Sequence, residues 1–195
     1  PCEYKQFYEL SNGYYIANNE FAFLLSPYGS IVTPPNAKFK SILETEGDCL
    51  KTVTVDKSGH RHYGLISMKG RVKRIADLSY IGIFNSGKAI ANLGGTMSLR
   101  YNHAKNRNEL FLEGGNYGVI DENGNFVIEP LYSYIGSESE GYRSVCKKDA
   151  TFNRYGVIKS DGTLAIDYEY SYARSVVNGM VVVAIGGIWR SEGFE

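Results

Sequence analysis

YGVIDENGNFVIEPLYSYIGSESEGYRSVCK, residues 117–147, decides the fold of this chain, because it returns at 155–185 as YGVIKSDGTLAIDYEYSYARSVVNGMVVVAI. Aligned on the turn glycines Gly124 and Gly162, Tyr117-Gly118 matches Tyr155-Gly156, and Phe126 and Ile128 match Leu164 and Ile166. Tyr132 and Tyr134 match Tyr170 and Tyr172, Gly141 matches Gly179, and the period is 38 residues. Self-similarity at that length marks a solenoid, a propeller or a hairpin array. A weaker copy begins at Tyr63 (YGLISMKGRV) and a fainter one near Ala22 (AFLLSPYGSIVTPP). The turn glycine falls at Gly29, Gly70, Gly124 and Gly162, with gaps of 41, 54 and 38 residues, so the long middle gap holds an insertion at 96–115.

Each copy reads as three strands. The first is Tyr117–Asp121, followed by the turn Glu122-Asn123-Gly124, where glycine accepts positive φ without steric cost. The second is Phe126–Ile128, apolar and β-branched, ended by Pro130, which has no N–H for a ladder. A loop runs to Gly141. The third is Tyr142–Lys147, with Tyr142, Ser144 and Cys146 on one face and Arg143, Val145 and Lys147 on the other. Three short strands cannot bury their own faces, so the copies must share a core.

The pattern resembles the bacterial WG-containing repeat family: an aromatic-Gly pair, an Asp-x-x-Gly turn, an apolar strand, a Pro-x-Tyr segment, an aromatic segment ending in Gly, and a short apolar strand. Tyr117-Gly118, Asp121–Gly124, Pro130–Tyr132 and Gly141–Val145 carry it. Tyr stands for Trp in three copies, Ala22-Phe23 replaces the pair in the first, and Pro130 becomes Ala76 and Tyr168 elsewhere. The resemblance implies an all-β array without a defined enzymatic activity, and it transfers no catalytic residue.

The chain is expected to be all-β: about four three-stranded antiparallel units plus a leading half-repeat. An open twisted array is preferred and a propeller-like closed ring is the alternative. Residues 1–20 form the half-repeat, and repeats follow at 21–57, 58–116 with the insertion, 117–152 and 153–187, with a tail at 188–195. The strand Met180–Ile185, apolar on both faces, is expected to be buried. Trp189 starts a further copy or a capping segment.

Lys plus Arg equals Asp plus Glu, at 21 each, so no net charge argues for nucleic acid or an anionic membrane. No apolar run is long enough to span a bilayer as a helix. No signal-like segment opens the chain, and it reads as a segment of a longer bacterial protein, cytoplasmic or exported. Cys2, Cys49 and Cys146 fit no zinc spacing, and their odd number argues against a disulfide framework. Cys49 and Cys146 fall on third strands, where burial is expected. His60 and His62 share a strand face, but no carboxylate stands clearly beside them, and they read as solvated. Glu138 and Glu140, two apart in an acidic loop, lack the geometry of paired glycosidase carboxylates.

No catalytic motif, cofactor site or metal site is expected. The leading reading is a non-enzymatic module that binds a protein or another domain of its parent chain. Glycan binding through exposed Tyr132, Tyr134, Tyr170 and Tyr172 is the alternative. The insertion, with Arg100, Lys105 and Arg107, is the candidate specificity element.

Overall fold

The computed structural model describes residues 4–148, 153–186, 189–190 and 193–194. Every regular element among them is a strand. The sheets are antiparallel, and none closes into a barrel. The chain divides into two compact units, residues 1–115 with 120–126, and residues 116–119 with 127–195.

The first unit opens with a three-stranded sheet, β1 (Gln6–Glu9), β2 (Tyr15–Asn18) and β3 (Ala22–Leu25). Its second sheet runs β4 (Ser41–Glu44), β5 (Cys49–Val55), β6 (Arg61–Ser67), β7 (Val72–Ile81), β8 (Lys88–Asn102) and β9 (Arg107–Asp121) in spatial order. β5 and β6 are buried on both faces. The cross-strand pair Val53 and Tyr63 joins a cluster with Leu65, Leu78, Ile81 and Phe84. The pair Leu50 and Ile66 points the other way, into a cluster with Leu24, Phe39 and Ile42. Alternation along a strand sends successive side chains to opposite faces, which is how one hairpin serves two cores.

The second unit begins with the end of β9, whose sheet neighbour is β10 (Phe126–Tyr132). The next sheet runs β11 (Tyr134–Ile135), β12 (Tyr142–Lys148), β13 (Asn153–Lys159) and β14 (Leu164–Tyr170). β15 (Tyr172–Ala173) pairs with β16 (Val183–Ala184), and β17 (Trp189–Arg190) with β18 (Gly193–Phe194). Of the expected tail, only those last two strands fall among the described residues. Cys2 and the 152–153 repeat boundary lie outside them.

The sheets are offset from the sequence repeat by half a period. β11 and β12 come from the repeat that begins at Tyr117, and β13 and β14 from the next. β12 and β13 pair over seven residues, from Tyr142 opposite Lys159 to Lys148 opposite Asn153. The set β4–β7 repeats that arrangement in the first unit. Consecutive repeats therefore share sheets, which answers the need for a common core.

The aromatic-Gly pair has a steric cause. A Cβ on Gly118 would sit 2.4 Å from Ile128 O and 2.9 Å from Pro130 N. The backbone also lies over Gly156, near Ile166 O, and over Gly64, near Arg74 O, and the β6–β7 and β13–β14 ladders shift register there. The second strand thus crosses the first at a bulge that leaves no room for a side chain. Pro130 consequently does not end its strand, contrary to expectation. β10 runs through it to Tyr132, because a proline at an irregularity costs no ladder bond.

Two turns recur. At Asp121 the carboxylate Oδ1 accepts the N–H groups of Asn123 and Asn125, both at 2.9 Å, while Gly124 alone takes positive φ, at 83°. Asp56 does the same for Ser58 and His60. The second turn precedes the third strand. Ser86-Gly87, Glu140-Gly141 and Asn178-Gly179 all have both central residues at positive φ, the type I′ geometry that matches strand twist. Glu140 is not in a loose loop as the sequence suggests. Its carboxylate accepts the N–H groups of Asn178 and Gly179, its counterpart turn in the next repeat, at 2.7 and 2.8 Å. Glu138 pairs with the buried Arg143.

Burial differs between the third strands, and one expectation, the burial of Met180–Ile185, fails. β12 is buried on both faces between Arg143 and Cys146, because β11 and β13 flank it and Arg143 is satisfied by Gly136 O and Glu138. The Met180–Ile185 strand is not buried: Met180 is 70% and Ile185 84% exposed. Its counterpart β12 lies between two strands, whereas β16 has one partner among the described residues.

Candidate functional site

The insertion is a hairpin formed by the outer parts of β8 and β9. Asn92, fully buried, fixes its base by donating to Gly114 O and accepting the Gly95 N–H at 3.2 Å. The backbones approach so closely that a Cβ on Gly115 would lie 2.2 Å from Gly95 N. Asn106, at φ 51°, forms part of the tip. The hairpin carries large apolar side chains in solvent: Leu99 is 54% exposed, and Tyr101, Leu110 and Phe111 are also exposed.

The three basic candidates are all engaged within the hairpin. Arg100 makes a two-pronged pair with Glu113, both contacts at 2.5 Å. Glu109 accepts from Arg107 at 2.7 Å, from Lys105 at 3.1 Å and from Asn102 at 2.8 Å. The Arg107 hydrogen bonds, then those of Asn102 and Lys105, hold the Glu109 carboxyl below its usual range. Cations matched by local carboxylates make a poor phosphate surface.

The four tyrosines do not form one exposed face. Tyr132 is only 6% exposed, which corrects its expected exposure. The offset explains it: Tyr132 ends β10, Tyr168 of the following repeat's β14 packs nearby, and Lys147 Nζ lies 4.5 Å from the Tyr168 ring centre and 5.9 Å from that of Tyr132. Burial and the Tyr132 hydroxyl push the Tyr168 phenol upward. Tyr170 and Tyr172 are half-buried, and Tyr134 is 45% exposed. Tyr155 stands between Tyr134 and Tyr172, at 6.0 and 5.7 Å between ring centres and 49° and 59° between planes. Burial pushes its phenol up to about 12.

Beside Tyr134 and Tyr172 lies a pocket of about 270 Å³, lined also by Ser144, Arg174, Ser175 and Val177. The sequence reading missed Ser144 and Arg174. A signal existed: they match Val182 and Gly136 in the other copy, so each is polar where its counterpart is not.

The cysteines and histidines show little reactive character. Cys49 and Cys146 are buried as expected, and desolvation raises both thiols, which disfavours the nucleophilic thiolate. A carboxylate does stand beside the histidines, against expectation. Asp56 Oδ2 is 3.2 Å from His62 Nε2 and 3.5 Å from His60 Nδ1, because the turn folds back on its own strand. Among the described residues no group of three or more His, Cys, Asp or Glu could hold a metal ion. Among the described residues no helix is long and apolar enough to cross a membrane.

No curated protein matches the chain. Among solved structures, a protein of Agrobacterium tumefaciens assigned as TolB aligns over 90% of this chain and 67% of its own, at 12% identity and a TM-score of 0.33. The family model described as "WG containing repeat" matches residues 117–149 and 155–189. Those residues hold both clear copies, with the bulge glycines Gly118 and Gly156 in place, and they are two WG containing repeats, with Tyr-Gly where the family's name has Trp-Gly.

Proposed function

We propose that this chain is a non-enzymatic interaction module, whose repeats form a scaffold that presents the 96–115 hairpin to a protein partner or to another domain of its parent chain. The observation that carries this reading is the hairpin itself. It places Leu99, Tyr101, Leu110 and Phe111 in solvent while its basic side chains are paired with its own acids. Exposed apolar groups rimmed by polar ones are the usual signature of a protein contact. The fixed base supports presentation of a defined shape, which lowers the ordering cost of binding.

Glycan binding through the tyrosines is favoured less. Tyr132 is buried, and the tilted packing of Tyr134, Tyr155 and Tyr172 offers no flat shared platform for a sugar ring.

The test is capture from the source organism's lysate and envelope fractions by the intact chain and by a chain with Leu99, Tyr101, Leu110 and Phe111 all changed to Ser. A discrete protein held by the first and lost by the second, with both folded, supports the reading. Equal capture by both contradicts it, and release by soluble glycan moves the function to carbohydrate.

A further inference from the structure

We infer that the free edge of β16 is a docking edge for the first hairpin of a partner WG containing repeat: a strand with an aromatic-Gly pair, a turn ending in Gly and an apolar second strand. The inference goes beyond the proposed function, since it does not involve residues 96–115.

The chain itself shows what covers such an edge. β2, β5, β8 and β12 each lie between two strands, and in each case one neighbour is the strand that follows in sequence, β3, β6, β9 and β13. β16 lies on the counterpart of β12, 38 residues on, and pairs only with β15 among the described residues. The open edge coincides with exposure. Val145 and Cys146 are buried, whereas their counterparts Val183 and Ala184 are half-buried. Ser144 is 2% exposed and its counterpart Val182 is 65% exposed.

This open strand lacks the usual guards. Native edge strands are commonly protected by charge, proline or a bulge. No charged residue and no proline falls between Ser175 and Ile188. Where the covered copy has Ser144 and Lys147, the open one has Val182 and Ile185, so apolar character rises where solvent has access.

The backbone is placed for a further ladder. Val182 O and Ala184 O accept the Arg174 and Ser171 N–H groups at 2.9 Å on the β15 side. Ser144 O and Cys146 O do the same for Gly136 and Ser133 in the preceding copy. Alternation then turns the backbone groups of Val181 and Val183 to the other edge, as it turns those of Arg143 and Val145 toward Ile158 and Gly156 of β13. Main-chain bonds to an added strand supply the affinity at such an edge. A second copy has no first strand to give, because β3, β6, β9 and β13 are each already paired with a third strand.

The chain's own β13 and β14 supply the probe. A capped peptide of residues 153–170 is titrated into the isotope-labelled chain and followed by amide NMR, with a scrambled peptide as comparison. An isolated hairpin is marginally stable, so in a second arm the same residues are joined after Glu195 through a Gly-Ser linker. Saturable shifts and slowed hydrogen exchange at Val181 and Val183 are expected with the 153–170 peptide, and the same protection in the joined chain. V183P removes an N–H from the free edge and none from the β15 ladder, so the fold is expected to persist. It should weaken peptide binding at least about fivefold, the equivalent of one lost hydrogen bond. No response in either arm, an equal response to the scrambled peptide, or unchanged binding by V183P overturns the proposal. So does a dimer detected by sedimentation without peptide and abolished by V183P, which makes a second copy the occupant. Failure here with hairpin-dependent capture intact removes only this edge, and peptide binding with capture unaffected by the hairpin substitutions removes only the hairpin reading.

Discussion

Gly118→Ala separates two physical accounts of the same glycine by sign. Gly118 is absent from the positive-φ positions, so its backbone conformation is open to alanine. If backbone freedom were all that mattered, alanine would stabilise the fold by about 0.4–1 kcal/mol through loss of unfolded-state entropy. The structure argues the reverse. The new Cβ would lie 2.4 Å from Ile128 O and 2.9 Å from Pro130 N. An ordinary contact there is roughly 3.4 Å or more, so β10 must retreat by about 1 Å from the end of β9. Both obstacles are backbone, so no rotamer change relieves them. Overpacking of this kind costs about 1–3 kcal/mol and sometimes more. With about 2–4 °C per kcal/mol for a chain of this size, the melting temperature should fall by roughly 2–12 °C. Thermal unfolding followed by circular dichroism, with Gly156→Ala as a second instance, checks it. A melting temperature that is unchanged or raised in both variants would refute the steric account of the aromatic-Gly pair.

Three further outcomes follow from the same geometry. Glu140→Ala should remove the acceptor of two backbone N–H groups and speed hydrogen exchange at Asn178 and Gly179, at a cost of about 1 kcal/mol; unchanged exchange there would remove the clasp between turns. The Asp56 and Asp161 carboxyls are held below their ordinary values, chiefly by the His60 N–H and by Thr163 respectively, so each contributes stability above the unfolded value near 3.8 that is lost as pH falls through the lower folded value. An acid titration of stability should therefore steepen below about pH 4 and flatten in Asp56→Asn, and an identical slope in that variant would count against the turn's role. Tyr155 should resist ionisation up to about 12; its stabilising contribution is complete below the unfolded value near 10 and lost as pH rises through the folded one, so phenolate absorbance of Tyr155→Phe should differ from the parent only at the alkaline end.

The repeat itself was legible because turn chemistry is local. Gly124 and Gly162 mark positions where the chain needs positive φ, and that requirement survives when the neighbouring side chains change. Burial of Cys49 and Cys146 was legible for a similar reason, since strand position fixes their environment. Sheet pairing was not. Nothing in residues 142–148 says that their partner is 153–159, and the half-period offset follows from pairing across a repeat boundary. That offset is why Tyr132 is buried and Met180 exposed, the reverse of what each segment suggests alone. The pairing of Arg100 with Glu113 was hidden because it joins two strands of one hairpin thirteen residues apart. The pocket was hidden because Ser144 of one repeat and Arg174 of the next both line it.

The most direct test of the interaction reading is site-specific photocrosslinking in cells of the source organism. A photoreactive side chain is placed at Phe111, on the hairpin, and in a second chain at Tyr28, a turn residue that is almost fully exposed. The account predicts a discrete protein adduct from position 111, absent from position 28 and lost when Leu99, Tyr101 and Leu110 are changed to Ser. The same adducts from both positions, or none from position 111 in any cell fraction, would contradict it.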